Sequence, residues 1–199
     1  MSSPATLDDS ATSGTPRIIE AIERDSRALG FSMESVRRTG SLLRALAASK
    51  PAGRLLELGT GTGISTAWML DGMDAAATLI TVDREPRFVE IARRHLGNDS
   101  RVTFHVAAGD AFLREIRGSS FDLIFADTWP GKFDHLEETL TLLRPGGIYM
   151  IDDLLPQVNW PAGHAPKVPQ LISELERDPR LITCKLSWAS GLLIATRRS

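Results

Sequence analysis

The stretch Leu55-Leu56-Glu57-Leu58-Gly59-Thr60-Gly61-Thr62-Gly63 decides the fold, because an apolar run ends in an acid and passes into three alternating glycines. Such a run predicts a short buried strand that breaks into a turn where the backbone approaches a ligand closely. Glycine suits this turn because it tolerates positive φ and has no Cβ. Dinucleotide sites bind a pyrophosphate here, whereas Glu57 would repel one. The stretch therefore predicts a neutral or cationic ligand that carries an amino group.

Strand and helix signals alternate on both sides of this turn. The predicted strands cover residues 54–58, 78–82, 102–106, 121–126 and 147–151. Helices are predicted between them, over residues 64–70, 86–96, 111–116 and 135–143. Repeated β-α-β units predict an α/β fold with a doubly wound, mostly parallel sheet and helices on both faces. Two further runs, 181–186 and 192–196, predict an antiparallel last strand at the sheet edge.

The segments outside this alternation differ in composition. Residues 1–15 are rich in Ser, Thr, Ala and Asp, and are predicted to form a disordered tail. Residues 16–199 are predicted to form one domain, whose first part, 16–50, holds helices over 16–29 and 32–48. A proline-containing loop follows the fifth strand and reaches residue 166, ahead of a helix over 168–177.

The bulk composition excludes several classes of partner. With 199 residues and a net charge of −2, the chain gives no electrostatic reason to bind nucleic acid or an anionic membrane. No apolar run approaches the roughly 20 residues that span a bilayer, and we find no signal-peptide pattern. The single Cys184, predicted as a small core residue in a strand, suits a reducing compartment. We therefore expect a cytoplasmic protein.

Five landmarks, in this order, resemble the class I S-adenosylmethionine-dependent methyltransferases, and among them the small catechol and caffeoyl-CoA-type O-methyltransferases. They are residues 55–63, Ile80-Thr81-Val82-Asp83, Ala108-Gly109-Asp110-Ala111, 121–127 and Leu143-Arg144-Pro145-Gly146-Gly147. The resemblance runs from about residue 31 to the C-terminus. It implies a Rossmann-like sheet, S-adenosylmethionine as methyl donor, and an oxygen of a small, catechol-like molecule as acceptor. A homodimer is also a family expectation.

The resemblance assigns cofactor-binding roles to residues that follow the predicted strands. Glu57 and the glycines of its turn (Gly59, Gly61 and Gly63) would hold the aminocarboxypropyl part. Asp83 lies where an acid accepts hydrogen bonds from the ribose hydroxyls, although it could instead be a helix N-cap. Asp110 and Ala111 would contact the adenine, with an N-cap again the alternative for Asp110.

The reaction site is expected after the fourth and fifth strands. By resemblance, Asp127, Asp152 and Asp153 would bind Mg²⁺ or another divalent cation, since hard cations take oxygen ligands. Asp127 would also face the cofactor, and Lys132 is the candidate base. Asp153 stands where the family has asparagine, and Lys132 falls about two residues late. The alternative is that these acids only cap turns and open a loop.

The sequence leaves alternatives open for the loop after the fifth strand and for the function of the chain. The loop 153–166 is predicted to cover the acceptor. Its His164 is either a second candidate base or a solvated loop residue, and Trp129 and Trp160 either stack on an aromatic acceptor or pack internally. Two other functions compete with methyl transfer. One is an NAD(P)-dependent oxidoreductase, and the other is a non-catalytic S-adenosylmethionine-binding domain.

Overall fold

Strands and helices alternate along the computed structural model, which describes residues 14–199. The strands are β1 (Arg54–Leu58), β2 (Thr78–Asp83), β3 (Val102–Val106), β4 (Phe121–Ala126), β5 (Leu143–Ile151), β6 (Leu181–Leu186) and β7 (Leu192–Arg197). The helices are α1 (Ile19–Leu29), α2 (Arg37–Ala48), α3 (Ile64–Gly72), α4 (Pro86–Leu96), α5 (Gly109–Glu115), α6 (Leu136–Thr141) and α7 (His164–Arg177). None of these helices is long and apolar enough to cross a membrane.

The strands form one sheet in the order β3-β2-β1-β4-β5-β7-β6. Strands β1 to β5 pair in parallel, and β7 is antiparallel to both of its neighbours. The predicted α/β class and the antiparallel last strand are thus confirmed. The strand order reverses between β1 and β4, and an open α/β sheet binds ligands in the crevice at such a point.

Two hydrophobic clusters lie on opposite faces of this sheet. One buries α1 to α4 around Trp68 and Leu55, and the other buries α5 to α7 around Phe112 and Tyr149. Adjacent residues of β1 point into different clusters, with Leu55 in the first and Leu56 in the second. A strand buried on both faces reads as a continuous apolar run, which is why β1 was recognisable in the sequence.

Several predicted boundaries are wrong for identifiable reasons. Helix α2 begins at Arg37, because residues 31–36 form no helix and lie beside the turn after β1. Helix α7 begins at His164, four residues earlier than predicted. Cys184 is exposed, because it lies on the edge strand β6. Residues 1–13 of the predicted tail lie outside the described residues, whereas the Gly14 carbonyl accepts a hydrogen bond from Arg44 (2.9 Å).

Candidate active site

The ends of four parallel strands are level with one another. Leu58 pairs with Val82 on one side and with Ala126 on the other, and Ala126 pairs with Ile151. The residues that follow these positions therefore meet at one edge of the sheet. They are Gly59, Asp83, Asp127 and Asp152. The structure thus brings together most of the residues predicted from the sequence.

The turn after β1 requires its glycines. All three have positive φ, at 112° for Gly59, 49° for Gly61 and 96° for Gly63. A Cβ on Gly59 would lie 2.6 Å from the Thr128 side chain, and one on Gly63 would lie 2.9 Å from Ala92. Side chains here would therefore strain the backbone and push the turn away from both the β4 loop and α4.

Asp83 fastens this turn to the end of β2. Its Oδ2 accepts a hydrogen bond from the Gly61 amide, and its Oδ1 accepts one from the Glu85 amide, both at 2.9 Å. The second bond forms a turn just ahead of α4. Asp83 therefore has a structural role near the start of this helix, close to the N-cap role that was the alternative prediction. The ribose contact stays a prediction, since each carboxylate oxygen keeps a lone pair.

Glu57 lies beneath the turn and is completely buried. Its Oε2 accepts hydrogen bonds from the hydroxyls of Thr66 (2.5 Å) and Thr81 (2.6 Å). Because Thr81 donates to Glu57, the 2.6 Å contact between Thr60 and Thr81 must use Thr60 as donor. Among the described residues Oε1 has no partner. Burial raises the pKa of Glu57 to about 7, although the hydroxyls of Ser65, Thr66 and Thr81 act in the opposite direction. Oε1 stays available as an acceptor for a cationic group.

The third strand end contributes Asp110 and Ala111, in the first turn of α5. The Asp110 carboxylate is partly exposed and pairs with Arg114 at 2.9 Å, which lowers the pKa of Asp110. A Cβ on Gly109 would lie 2.7 Å from Pro130, so the loop after β4 closes tightly against the start of α5. The adenine role of Asp110 and Ala111 stays a prediction.

Three carboxylates follow β4 and β5. The pKa of Asp127 is raised well above its ordinary value, first by burial and then by the charges of Asp152 and Asp153. Burial, with Asp153 as the next cause, raises the pKa of Asp152 to about 6. Ser35, from the non-helical segment 31–36, donates a hydrogen bond to Asp127 (3.1 Å). This edge of the sheet therefore groups acids, Asp127 and Asp152, that ionise less readily than isolated carboxyls.

Lys132 is buried among these acids, with only 1% of its surface exposed. Its Nζ donates to the main-chain carbonyl of Asp152 (3.1 Å) and lies 5.4 Å from the centre of the Phe133 ring. The two extra residues ahead of it form a tight turn, in which Gly131 has a φ of 87° and its carbonyl accepts a hydrogen bond from Tyr149. Because of this turn, Lys132 Nζ reaches the main chain of Asp152 although Lys132 lies about two residues later in the sequence than the family's lysine.

The three carboxylates after β4 and β5 match the predicted divalent cation in donor type but not in their present arrangement. Asp127, Asp152 and Asp153 offer carboxylate oxygens, the ligands that hard cations take, and their mutual repulsion would be relieved by a cation. Across residues 14–199, however, no three His, Cys, Asp or Glu side chains are grouped to hold a metal as they stand. The residues fit a cation in donor chemistry, and binding would require the carboxylates to converge.

Aromatic rings flank the reaction site on the side of the loop after β5. The Trp160 ring stacks on His164 (4.4 Å between centroids), and His164 meets the edge of Phe133 (4.9 Å). Trp129 packs against Phe133 in turn (5.9 Å). His164 is buried rather than solvated, and its Nε2 donates to the Asp153 carbonyl (3.0 Å), while burial lowers its pKa. Nε2 therefore carries the proton, which leaves only Nδ1 as a base.

The non-helical segment 31–36 covers the glycine turn and narrows the cleft beside Asp127. Phe31 packs on Phe88 (4.4 Å between centroids), and Asn159, from the loop after β5, donates to the Ser32 carbonyl (3.0 Å). The remaining cavity is about 20 Å³. That space holds roughly one water, so a larger ligand requires segment 31–36 or the loop to shift.

The sequence interpretation missed several polar residues of this site. Thr81 could have been found, because it is a hydroxyl in the apolar run of β2 directly opposite Glu57. Ser35 and Ser190 touch Asp127 and Asp152 from positions 92 and 38 residues away in the chain. No local pattern marks such contacts, so only the fold identifies them.

Comparison with known proteins matches this architecture. Residues 56–154 match a family model described as a methyltransferase domain. A putative O-methyltransferase from Mycobacterium avium is 30% identical over 171 residues, which cover 79% of this chain and 76% of that protein. Among solved structures, a putative O-methyltransferase from Klebsiella pneumoniae has a TM-score of 0.80 at 24% identity, covering 92% of this chain and 90% of that one. An O-methyltransferase from Bacillus cereus in complex with SAH has a TM-score of 0.80 at 21% identity, covering 90% of both chains.

Proposed function

Because this chain belongs to the S-adenosylmethionine-dependent O-methyltransferases, we propose that it methylates a hydroxyl of a small aromatic, catechol-like acceptor. One observation carries this proposal: a buried lysine and three acids lie next to a cluster of aromatic rings at the switch point of the sheet. The family also decides against the alternative of an NAD(P)-dependent oxidoreductase. The non-catalytic alternative is tested by the assay below.

The cofactor would lie along the carboxyl ends of β1, β2 and β3, with its amino group, ribose and adenine at successive strands. We assign the amino group of S-adenosylmethionine to the unpartnered Oε1 of Glu57, since a cation there compensates a buried acid. Asp83 would accept hydrogen bonds from the ribose, and Asp110 and Ala111 would face the adenine. Asp127, which lines the cleft beside the glycine turn, would lie close to the sulfonium.

Methyl transfer itself is an in-line displacement, so the protein mainly orients the reactants. The acceptor oxygen attacks the methyl carbon, the bond between that carbon and sulfur breaks, and S-adenosylhomocysteine leaves with the electron pair. Lys132 is the proposed base, and its side chain must be in the neutral amine form to take the hydroxyl proton. Trp129, Phe133 and Trp160 would present the faces and edges against which an aromatic ring packs.

A divalent cation is the second element of the proposal. Asp127, Asp152 and Asp153 would hold it, and its chemistry would be to lower the pKa of the acceptor hydroxyl. Because the cleft is closed, the acceptor would require segment 31–36 or the loop after β5 to move, and a cation would require the three carboxylates to converge. The family expectation of a homodimer also stays a prediction, and sedimentation of the purified chain tests it.

The assay uses labelled S-adenosylmethionine and catechol, with Mg²⁺ and separately with excess chelator. We expect methylated catechol in Mg²⁺ and its loss in chelator, with recovery when Mg²⁺ is restored. Turnover that survives the chelator would contradict the cation and leave deprotonation to Lys132. Absence of product in both conditions would contradict the catechol-like acceptor.

Replacement of Asp83 by alanine is expected to weaken binding of S-adenosylhomocysteine by about tenfold or more, because a ribose contact and the Gly61 bond are lost together. Calorimetric titration measures this affinity. Asp99→Ala is the matched control, since Asp99 also accepts an amide hydrogen bond in a turn, that of Arg101, but lies before β3 at the opposite sheet edge. An unchanged affinity in Asp83→Ala would remove Asp83 from the site.

A further inference from the structure

The connector between β6 and β7, residues 187–191, reaches the reaction site from the far end of the chain. Because β7 is antiparallel to β5, its first residues lie beside the last residues of β5, and Leu193 pairs with Ile151. The connector therefore arrives at the carboxyl edge of the sheet, where Asp152 begins the loop. None of the sequence motifs points to it.

A hydroxyl on this connector contacts a reaction-site acid. Ser190 is 5% exposed, and its Oγ donates a hydrogen bond to Oδ1 of Asp152, which is 1% exposed. Since that proton is used, Ser190 accepts in its contact with the hydroxyl of Thr39 (3.4 Å). Thr39 is fully buried in α2. The buried hydroxyls of Thr39 and Ser190 thus connect helix α2 to the carboxylate of Asp152.

The backbone of the connector is fitted to the same loop. The amides of Leu154 and Leu155 donate to the carbonyls of Gly191 (3.0 Å) and Ser190 (2.9 Å). A Cβ on Gly191 would lie 2.3 Å from the Leu155 nitrogen, and Ala189 has a φ of 55°. Strained backbone persists only where its surroundings hold it in place. The connector therefore clamps the start of the loop as well as the side chain of Asp152.

We propose that Ser190 is a positioning residue of the reaction site, which fixes the orientation of the Asp152 carboxylate with Thr39 as its support. The inference rests on the proposed function, because Asp152 matters there on the acceptor side. Without this donor the Asp152 carboxylate would keep its burial and the Asp153 amide on the same Oδ1 (2.7 Å), but it would lose the Ser190 hydroxyl, the side-chain donor that fixes its orientation from the connector. The consequence should fall on turnover, since small misplacements of reacting groups are costly, while cofactor binding is spared.

The test measures kcat and KM for methyl transfer from S-adenosylmethionine to catechol in Mg²⁺. Ser190→Ala is expected to lower kcat about tenfold and to leave KM for S-adenosylmethionine within about twofold. Ser190→Thr keeps the hydroxyl and should recover much of kcat. Thr39→Val, which removes only the support, should lower kcat less. The control is Ser187→Ala, an exposed serine of the same connector, which should change neither constant.

A double-mutant cycle with Asp152→Asn distinguishes positioning from a general structural effect. In the Asp152→Asn background, Ser190→Ala should lower kcat by less than about twofold, because both residues act through one carboxylate. The same cycle measured by urea unfolding needs no ligand and should show non-additivity of about fivefold in the unfolding constant. Additive effects in that cycle, or a normal kcat in folded Ser190→Ala, would overturn the proposal. If wild type leaves catechol unmethylated, the acceptor class fails and the unfolding cycle still decides the role of Ser190.

Discussion

Replacement of Lys132 by methionine is expected to lower kcat for methyl transfer about 100-fold or more, because general-base catalysis contributes factors of about 10²–10⁴. The Lys132 Nζ is buried at the acceptor side, bonded to the Asp152 carbonyl and close to the Phe133 ring. Methionine has a similar length and can keep the apolar packing, but it can neither donate to that carbonyl nor accept a proton. Affinity for S-adenosylhomocysteine should stay within about threefold, since the Lys132 Nζ hydrogen bond goes to the Asp152 carbonyl and only its charge acts on Asp127 among the assigned cofactor residues.

Lys50→Met is the matched control for this substitution. Lys50 also donates from Nζ to a main-chain carbonyl, that of Gly146 (3.0 Å), but it lies just ahead of β1 at the opposite end of the sheet. Its loss should leave kcat unchanged. Calorimetry of both variants with S-adenosylhomocysteine separates loss of chemistry from loss of fold. A Lys132→Met variant with normal kcat would assign deprotonation to another group, with His164 Nδ1 the next candidate.

The sheet and the main strand-end residues were predictable from the sequence for a physical reason. Strands of a parallel sheet are buried on both faces, so β1 and β4 appear as continuous apolar runs, and whatever follows them must lie at one edge. Asp127 and Asp152 could be placed side by side on that basis alone. The strand register pairs Leu58 with Ala126, so the glycine turn after β1 and the acid after β4 lie side by side in one site.

The errors arise where a local pattern competes with distant contacts. Helical spacing in residues 32–48 predicted one helix, yet segment 31–36 is non-helical and is held in place by the contacts of Ser35 with Asp127 and of Phe31 with Phe88. The prolines near His164 were read as a loop, although a proline in the first turn of a helix lacks only an amide that would be unpaired there. Pro166 occupies that position in α7.

The function of Glu57 can be tested through the pH dependence of stability. Burial raises its pKa in the folded chain from 4.5 to about 7. Its contribution to folding is therefore complete below about pH 4.5 and is lost as the pH rises through 7, because the unfolded chain releases this proton first. The loss should reach roughly 3 kcal/mol, since each pKa unit is worth about 1.4 kcal/mol. Glu57→Gln removes this term, so the variant should lose much less stability than wild type between pH 5 and 8.

Urea unfolding of both proteins across that range gives the difference that belongs to Glu57 alone, since Asp127 and Asp152 remain in both. Glu23→Gln is the control, because the pKa of Glu23 is shifted in the opposite direction from that of Glu57. Arg37 lowers the pKa of Glu23, so its contribution is lost only as the pH falls below about 4.5, and the slope between pH 5 and 8 should match wild type. Equal slopes for wild type and Glu57→Gln would contradict the buried, proton-retaining acid.

Saturating S-adenosylhomocysteine adds the decisive comparison. If its amino group binds at Oε1, the cation compensates ionised Glu57, and the pH-dependent loss seen in the free wild-type chain should largely disappear. The ligand should therefore bind wild type more tightly at pH 8 than at pH 5, and Glu57→Gln should lack this dependence. Ligand binding that stabilises both proteins equally at every pH would leave Glu57 a purely structural acid beneath the glycine turn.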